Sequence, residues 1–326
     1  MLPRRIDIVE VGPREGVQSE VEIPTSDKIR LVDMLSDCGF REIQVTSFVN
    51  PKWVPQMADA EQVAAGFQRR AGVRYSCIAL NKQGVIRAQA TKKFDLEGML
   101  LFSVSDTFSR KNMNRSTSEI AAAYGDTIDL FRSFDIPTNR VSAMAVFGCN
   151  YEGDIAQEDV IRLLRGAVEA AADRGEKITG IQLCDTMGWA NPQSIKRMVG
   201  AVRDAWPDAK INLHLHDTRG MAIANAFAAL ELGVDEFDAA VGGLGGCPYG
   251  GFKGAAGNIV TEDFVHLCEE TGVETGIDLE RLLAVSREAQ AIFGHPLPSK
   301  TISGGALESY RAAGDAASSS ADRLRR

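Results

Sequence analysis

The stretch GIQLCDTMGWANPQSIKRMVGAVRDAWPDAKINLHLHD, residues 180–217, contains the repeating unit that predicts the fold of this chain. It begins with a short apolar run at Gly180–Cys184 and ends with a second one at Ile211–His216. Between the two runs, Asn191-Pro192 is a helix start signal in front of an amphipathic segment. A strand, a helix and a second strand in this order predict a βαβ unit with parallel strands.

Similar apolar runs alternate with amphipathic segments along most of the chain. Further helix start signals lie at Ser26, at Ser116-Thr117 and near Thr261. The runs that we predict as strands are Ile6–Val11, Glu42–Val45, Arg74–Ala79, Gly98–Ser103, Arg140–Val146, Gly180–Cys184, Ile211–His216 and Glu236–Val241. Eight strands, each followed by a helix, within roughly 270 residues predict an α/β fold of the (β/α)₈ TIM-barrel type.

We place this barrel in one domain, residues 1–300, with a helical extension at its C-terminal end. The tail, residues 301–326, is rich in small and polar residues, and we expect it to be partly disordered. A doubly wound open sheet is the alternative fold. It would carry a glycine-rich phosphate loop of the form GxGxxG after its first strand, whereas this chain has VGPREG there, residues 11–16.

Composition excludes several classes of protein. A net charge of −8 and a pI near 5.2 argue against nucleic-acid binding, which would require a basic face. The strongest apolar run, GMLLFSV at 98–104, is too short to span a bilayer. The N-terminus leads directly into the first predicted strand, and the six cysteines show no CxxC spacing. We therefore expect a cytoplasmic protein with reduced thiols and no membrane partner.

The barrel hypothesis predicts that functional residues follow the C-terminal ends of strands, because active sites of this fold lie on that face. Polar and reactive residues occur at these positions after strands 1, 2, 6, 7 and 8. They are Arg14, Glu15, Gln44, Ser47, Asp185, His214, His216 and Cys247.

His214 and His216 are two of only four histidines in the chain. Alternation along a strand sends both side chains to one face, and imidazole is the commonest metal ligand. Glu15, which follows strand 1 at the same rim, is a candidate carboxylate ligand. Arg14 beside it could stabilise negative charge on a substrate. The alternative for the two histidines is a pair of satisfied polar residues at a strand end. The alternative for Arg14 and Glu15 is a surface ion pair.

The segment VGGLGGCPYGGFKGAAGN, residues 241–258, contains eight glycines and a central cysteine, Cys247. A thiol on a loop beside a metal is suited to proton delivery or nucleophilic attack, although Cys247 could also be a small apolar filler. Asn258 is either a neutral oxygen ligand or the N-cap of the helix predicted near Thr261.

Two further segments carry polar side chains whose role the residues alone leave open. Asp185 could fix a ligand water, act as a base, or hydrogen-bond to a histidine. The segment FSRKNMNRS, residues 108–116, is either an anion or phosphate contact or an ordinary solvated loop. The remaining histidines, His266 and His295, are expected to be structural or exposed.

Seven motifs of the chain resemble those of 3-hydroxy-3-methylglutaryl-CoA (HMG-CoA) lyases and their close relatives. The motifs are VEVGPREGVQSE, TSFVNPKWVPQMAD, FSRKNMNRS, CDTMG, HLHDTRG, GGLGGCPY and GAAGNIVTED, in order from about residue 2 to residue 300. Such enzymes are divalent-metal TIM-barrel lyases that cleave a C–C bond.

The resemblance implies a role for each matching residue. Glu15, His214, His216 and Asn258 would bind Mg²⁺ or Mn²⁺, which settles the open choice at Asn258. Arg14 would stabilise the enolate, Cys247 would protonate the product carbanion, and Asp185 and Glu262 would support them. The positions expected to contact the substrate are Gln18, Gln44, Ser47, Lys111, Asn112, Asn114 and Arg219.

The chain departs from the family pattern at three of these positions. Glu15 replaces an aspartate, Gln44 replaces a glutamate, and Arg219 replaces a tyrosine. The loop from Cys247 to Asn258 is also two residues longer. These changes suggest a shifted substrate or an altered base, without removing the metal ligands or the thiol.

We therefore expect a lyase that converts HMG-CoA to acetyl-CoA and acetoacetate, a step of leucine degradation, in a homodimer. One alternative is a related lyase, an aldolase or a Claisen-type enzyme acting on another 3-hydroxy acid or its CoA ester. A catalytically silent barrel that serves as a binding protein is the second alternative.

Overall fold

A computed structural model describes residues 1–246, 257–308 and 310–311 of the chain. The strands of this described part form one parallel eight-stranded sheet with the order β3-β2-β1-β8-β7-β6-β5-β4. The strands are β1 Asp7–Glu10, β2 Glu42–Ser47, β3 Arg74–Ile78, β4 Gly98–Ser103, β5 Thr138–Met144, β6 Gly180–Asp185, β7 Lys210–Leu215 and β8 Glu236–Ala239.

Helices connect these strands, as parallel pairing requires. They are α1 Thr25–Ser36, α2 Ala60–Gly66, α3 Lys82–Thr91, α4 Asp106–Met113, α5 Thr117–Ala122, α6 Tyr124–Arg132, α7 Gln157–Asp173, α8 Pro192–Ala205, α9 Ala222–Glu231, α10 Thr261–Glu270, α11 Leu279–Phe293 and α12 Lys300–Gly304. Short helical turns lie at Gly12–Gly16, Pro55–Met57 and Val241–Gly243.

The sheet curls so that its two end strands, β3 and β4, approach each other. The backbone N–H of Asp95, in the turn before β4, donates to the carbonyl of Tyr75 in β3 at 2.8 Å. At the same seam, Arg74 pairs with Glu97 at 3.1 Å. The predicted TIM barrel is confirmed, and the doubly wound alternative is wrong.

The interior of the barrel is polar near the N-terminal ends of the strands. Arg140 on β5 pairs with Glu236 on β8 at 2.6 Å and with Glu97 at 3.2 Å. Arg74 on β3 contacts Glu42 on β2 at 3.4 Å and shares Glu97. These pairs satisfy charges that burial would otherwise make very costly. The apolar side chains of the strands pack outward against the helices.

Most predicted helix starts agree with the structure. Asn191 caps α8 and Ser116 caps α5, each in a reciprocal capping box. Ser26 is not a cap, because α1 already begins at Thr25 after Pro24. The helix predicted after Ser116 is divided into α5 and α6 at Ala123.

The C-terminal extension packs against the barrel through α10. Asp263 of α10 accepts hydrogen bonds from Ser299 and from Thr301, which lie at the start of α12. The proposed domain boundary at residue 300 therefore coincides with the start of a packed helix. Residues 312–326 of the tail lie outside the described residues. Among the helices of the described residues, none is both long and apolar enough to cross a bilayer.

A buried carboxyl group, Glu10, ties the end of β1 to the end of β8. Its Oε1 accepts the backbone N–H groups of Gly12, at 2.8 Å, and Val241, at 2.9 Å. Its Oε2 accepts the hydroxyl of Thr261 at 2.8 Å. Burial raises the pKa of Glu10 to about 7, and these hydrogen bonds offset only part of the rise.

We expect Glu10→Gln to make folding stability less dependent on pH. Because the folded pKa is raised, the wild-type carboxyl group lowers stability progressively between pH 4.5 and about 7, on the order of 3 kcal/mol at most. A glutamine keeps the two accepted N–H bonds and can donate to Thr261. Urea unfolding should show the variant gaining stability relative to wild type from pH 5 to pH 8.

The matched control is Asp7→Asn, at the partly exposed start of the same strand. A difference between Glu10→Gln and wild type that stays constant from pH 5 to pH 8 would contradict the assignment.

Candidate functional site

Three predicted ligands meet at the C-terminal rim of the barrel. Oε1 of Glu15 lies 3.1 Å from Nε2 of His214 and 3.1 Å from Nε2 of His216. The two imidazole Nε2 atoms are also 3.1 Å apart. These three atoms form a group that could hold a metal ion.

Local backbone geometry brings these side chains together. His214 lies on β7 and His216 directly follows its last residue, so strand alternation directs both to the same side. Glu15 lies in the wide Gly12–Gly16 turn, where the carbonyl of Val11 accepts its backbone N–H at 2.8 Å. This turn directs the carboxylate across the rim toward β7.

Asn258 adjoins the same cluster. It pairs with His216 in an isolated antiparallel bridge, and its Nδ2 donates to the carbonyl of Leu244 at 3.0 Å. Its Oδ1 is buried and has no hydrogen-bond partner. Since α10 begins at Thr261 after Val260, Asn258 is not the cap of that helix. An amide oxygen that serves as a neutral metal ligand would have no hydrogen-bond partner in the protein, as is the case here.

Gly245 permits this placement of Asn258. Its φ of +110° lies in a region that residues with side chains rarely adopt. A Cβ atom there would lie 2.5 Å from Nδ2 of Asn258.

Asp238 lies beside the cluster and was not predicted from the sequence. Its Oδ2 is 3.0 Å from Nδ1 of His214, and the two residues are partners in the β7–β8 ladder. The available signal was an aspartate two residues after Glu236 on β8, which strand alternation places on the same face as that glutamate. The role of hydrogen-bond partner to a histidine, one option for Asp185, is therefore filled by Asp238.

The charges of the cluster are strongly coupled. Burial alone would raise the pKa of Glu15, but His214 and Arg14 outweigh it and hold that pKa well below its usual value. Burial lowers the pKa of His214, whereas Glu15 and Asp238 raise it well above normal. The cluster is thus an ion pair in which a cation would compete with the proton on His214.

Arg14 lies beside the cluster and is held from two sides. Its Nη2 is 3.1 Å from Oε2 of Glu15, and its Nε donates to Oε1 of Gln44. Gln44 lies within β2, before a shift in register, and not at the end of the strand as predicted. Ser47, the last residue of β2, is buried, and its hydroxyl lies 3.5 Å from the carbonyl of Ile78.

Asp185 and Arg219 organise the loop after β6. Asp185 is the last residue of β6, and it accepts the backbone N–H groups of Trp189 and Ala190 at 2.7 and 3.1 Å. Burial raises its pKa to about 6. Arg219 donates to the carbonyls of Met187 and Gly188, at 2.8 and 2.9 Å. Its guanidinium thus fastens this loop, a contact different from the substrate contact expected of it.

Glu262 lies behind the rim. It is fully buried at the start of α10, and both carboxyl oxygens accept the N–H of Gly242. Burial raises its pKa well above the usual value. Its observed partner is the turn after β8, so it supports the backbone there.

The segment 108–116 is largely helical, and not an ordinary loop. Ser105 caps α4, which ends at Asn114 with a φ of +53°. Nζ of Lys111 lies 5.0 Å from the ring centroid of Tyr151, and Nδ2 of Asn112 is 3.7 Å from Sδ of Met144. The segment follows β4 and therefore belongs to the same rim.

The remaining candidates lie at the edge of the site or outside it. Gln18 is half-buried just after the Gly12–Gly16 turn. Cys247 lies outside the described residues. His266 is half-buried on α10, and the exposed His295 pairs with Glu20 at 2.8 Å.

Comparisons with known proteins point to one family. Hydroxymethylglutaryl-CoA lyase of Bacillus subtilis is 40% identical over 301 residues, which cover 92% of this chain and 97% of that protein. The mitochondrial hydroxymethylglutaryl-CoA lyase of Gallus gallus is 39% identical over 282 residues, covering 86% and 91%.

Two solved structures share the fold over nearly the whole chain. The crystal structure of the Bacillus subtilis HMG-CoA lyase has a TM-score of 0.85 at 39% identity, covering 93% of this chain and 98% of that one. An HMG-CoA lyase from Acinetobacter baumannii, in complex with coenzyme A and 3-methylmalate, has a TM-score of 0.83 at 38% identity, covering 93% and 95%. Since residues 5–288 also match the HMGL-like family model, this chain belongs to the HMGL-like family of lyases.

Proposed function

We propose that this protein is a divalent-metal-dependent lyase that cleaves HMG-CoA to acetyl-CoA and acetoacetate. The observation that carries the proposal is the cluster of Glu15, His214 and His216 at the barrel rim. Relatives at about 40% identity are named hydroxymethylglutaryl-CoA lyases, and one structural neighbour is a complex with coenzyme A. An acyl-CoA substrate follows from these similarities. A homodimer and a cytoplasmic location stay predictions from the sequence.

The ligands proposed for the cation are Glu15, His214, His216 and Asn258. Adjacent ligands of an octahedral ion bound at about 2.1 Å lie about 3.0 Å apart, close to the 3.1 Å among the three clustered atoms. Two imidazoles with carboxylate and amide oxygens suit Mg²⁺ or Mn²⁺. When bound, such a cation polarises substrate oxygens and lowers the pKa of a coordinated hydroxyl group.

Arg14 is proposed to stabilise the enolate that forms when the C–C bond breaks. Its guanidinium is permanently charged, and its contacts with Glu15 and Gln44 restrain its orientation before the substrate arrives. A charge fixed in advance stabilises a developing oxyanion without reorganisation during the reaction.

Asp185 is proposed to take the proton of the substrate hydroxyl group. A pKa of about 6 leaves it mostly ionised near neutral pH, yet basic enough to accept a proton. Loss of that proton turns the carbinol carbon into the ketone of acetoacetate, while the bond electrons pass to the enolate of acetyl-CoA. We assign the final protonation of that carbanion to Cys247 by resemblance alone.

Substrate contacts are proposed for Gln18, Gln44, Ser47, Lys111, Asn112, Asn114 and Arg219. Gln44 contacts Arg14, and Arg219 contacts the loop after β6. These contacts favour the alternative of a related lyase that acts on a different 3-hydroxyacyl group. The acyl group could differ from that of HMG-CoA, because both positions differ from the family pattern. The reaction class would then be unchanged.

The proposed activity is tested with purified protein, HMG-CoA and Mg²⁺ or Mn²⁺. We expect acetyl-CoA and acetoacetate in equal amounts, and loss of activity in a chelator that returns when metal is restored. A panel of other 3-hydroxyacyl-CoA esters identifies a shifted substrate. No cleavage of any ester in the presence of metal would contradict the proposal.

Glu15→Ala should lower the affinity for Mn²⁺ at least about 100-fold, because it removes the one anionic group among the four proposed ligands. Glu15→Asp restores the family residue and should keep the cation bound. Calorimetric titration with Mn²⁺ measures both variants. The control is Glu20→Ala. Glu20 lies five residues after Glu15, and its carboxylate pairs with His295. Unchanged affinity in Glu15→Ala would show that the cation binds without this carboxylate.

Gln44→Glu should move the substrate preference toward HMG-CoA. The change restores the glutamate of the family pattern and gives a second anionic partner to Arg14, the residue proposed to stabilise the enolate. The ratio of kcat/KM for HMG-CoA to that for the best other ester should rise several-fold. Gln193→Glu, the same change on the exposed first turn of α8, should leave the ratio unchanged. An identical ratio in Gln44→Glu and wild type excludes Gln44 as a specificity determinant.

A further inference from the structure

A connected set of polar side chains crosses the barrel interior beneath the candidate metal site. It begins at Ser142 on β5, whose hydroxyl donates to Oε1 of Gln182 at 2.6 Å. Nε2 of Gln182 then donates to Oδ1 of Asn212 at 2.8 Å and to Oδ2 of Asp238 at 2.8 Å. Nδ2 of Asn212 donates to Oδ1 of Asp238 at 3.0 Å. The chain of hydrogen bonds therefore converges on one carboxylate.

The direction of these bonds is determined by the groups involved. A carboxylate only accepts hydrogen bonds, and the amide nitrogens of Gln182 and Asn212 only donate. The amide of Gln182 cannot be reversed without facing its oxygen toward the oxygens of Asn212 and Asp238. The third neighbour of Asp238, Nδ1 of His214 at 3.0 Å, must therefore be a donor as well.

This requirement determines which nitrogen of His214 is available for a cation. With Nδ1 protonated, the neutral ring carries its lone pair on Nε2. Nε2 is the atom 3.1 Å from Oε1 of Glu15 and from Nε2 of His216. Asp238, Asn212 and Ser142 are at most 5% exposed, so water does not compete for these hydrogen bonds.

We propose that Asp238, held in place by Gln182 and Asn212, is a positioning residue that presents Nε2 of His214 to the cation. The inference rests on the proposed metal-dependent function and extends it to residues on β7 and on the two strands beside it, β6 and β8. A purely structural network would contribute to folding stability but would leave metal affinity unchanged.

The neighbouring Glu236 provides a matched control for this distinction. It lies on β8 two residues before Asp238, and its partner is Arg140 at 2.6 Å, with no ligand between them. Glu236→Gln removes the same charge from the same strand as Asp238→Asn. It should weaken folding stability without changing the affinity of the rim for a cation.

The experiment is calorimetric titration of the folded variants Asp238→Asn, Gln182→Met and Glu236→Gln with Mn²⁺ alone. We expect Asp238→Asn to bind Mn²⁺ about 10–100-fold more weakly, as is typical when a partner of a metal-bound histidine is removed. Gln182→Met should weaken binding less, because the hydrogen bond to His214 survives. With saturating Mg²⁺, nitrogen-15 spectra of the His214 ring in wild type should show a proton on Nδ1 and none on Nε2. At the same Mg²⁺ concentration, Asp238→Asn should show a larger fraction of rings protonated at Nε2.

The outcomes separate this proposal from the proposed function. A wild-type protein that binds no Mn²⁺ would refute the metal site itself. If wild type binds and Asp238→Asn binds equally well, the positioning role is overturned. Should Asp238→Asn fail to fold, Gln182→Met decides: weaker binding than in Glu236→Gln supports the role, and equal binding overturns it.

Discussion

The pairing of His214 on β7 with Asp238 on β8 connects the barrel interior to the rim on which the site depends. The parallel register sets these residues opposite each other, and the ring bridges the carboxylate below and Glu15 above. A shift of either strand by one residue would turn the side chain on that strand away from the interior. Sheet pairing and site geometry are therefore determined by the same interaction.

A polar barrel interior has a thermodynamic cost that this structure offsets through pairing. Arg140 and Glu236 form a buried ion pair near the N-terminal ends of the strands, and the amides of Gln182 and Asn212 lie above them. These groups contact partners of opposite character, whereas Oδ1 of Asn258 is among several buried side-chain oxygens of the described residues that lack a hydrogen-bond partner. At the rim, a ligand could supply the partner that Oδ1 of Asn258 lacks.

The departures from the family pattern change the contacts of charged side chains near the site and leave the proposed metal-binding groups in place. Gln44 contacts Arg14 as a neutral group, so Glu15 is the anionic partner of that guanidinium among the contacts described. Arg219 hydrogen-bonds to the loop that follows Asp185, which couples the β6 and β7 loops. Both changes act on the orientation of groups proposed to meet the substrate.

The sequence by itself determined the strands and the rim. Apolar runs that alternate with amphipathic segments predicted the strand bounds within about two residues. This is possible because burial selects apolar residues in a pattern that is visible in the local sequence. Strand alternation also placed His214 and His216 on one side. Only the tertiary structure decided that Asp238 is the partner of His214, that Arg219 fastens a loop, and that Glu262 lies behind the rim. These facts depend on register and on contacts between residues distant in sequence, about which no local pattern carries information.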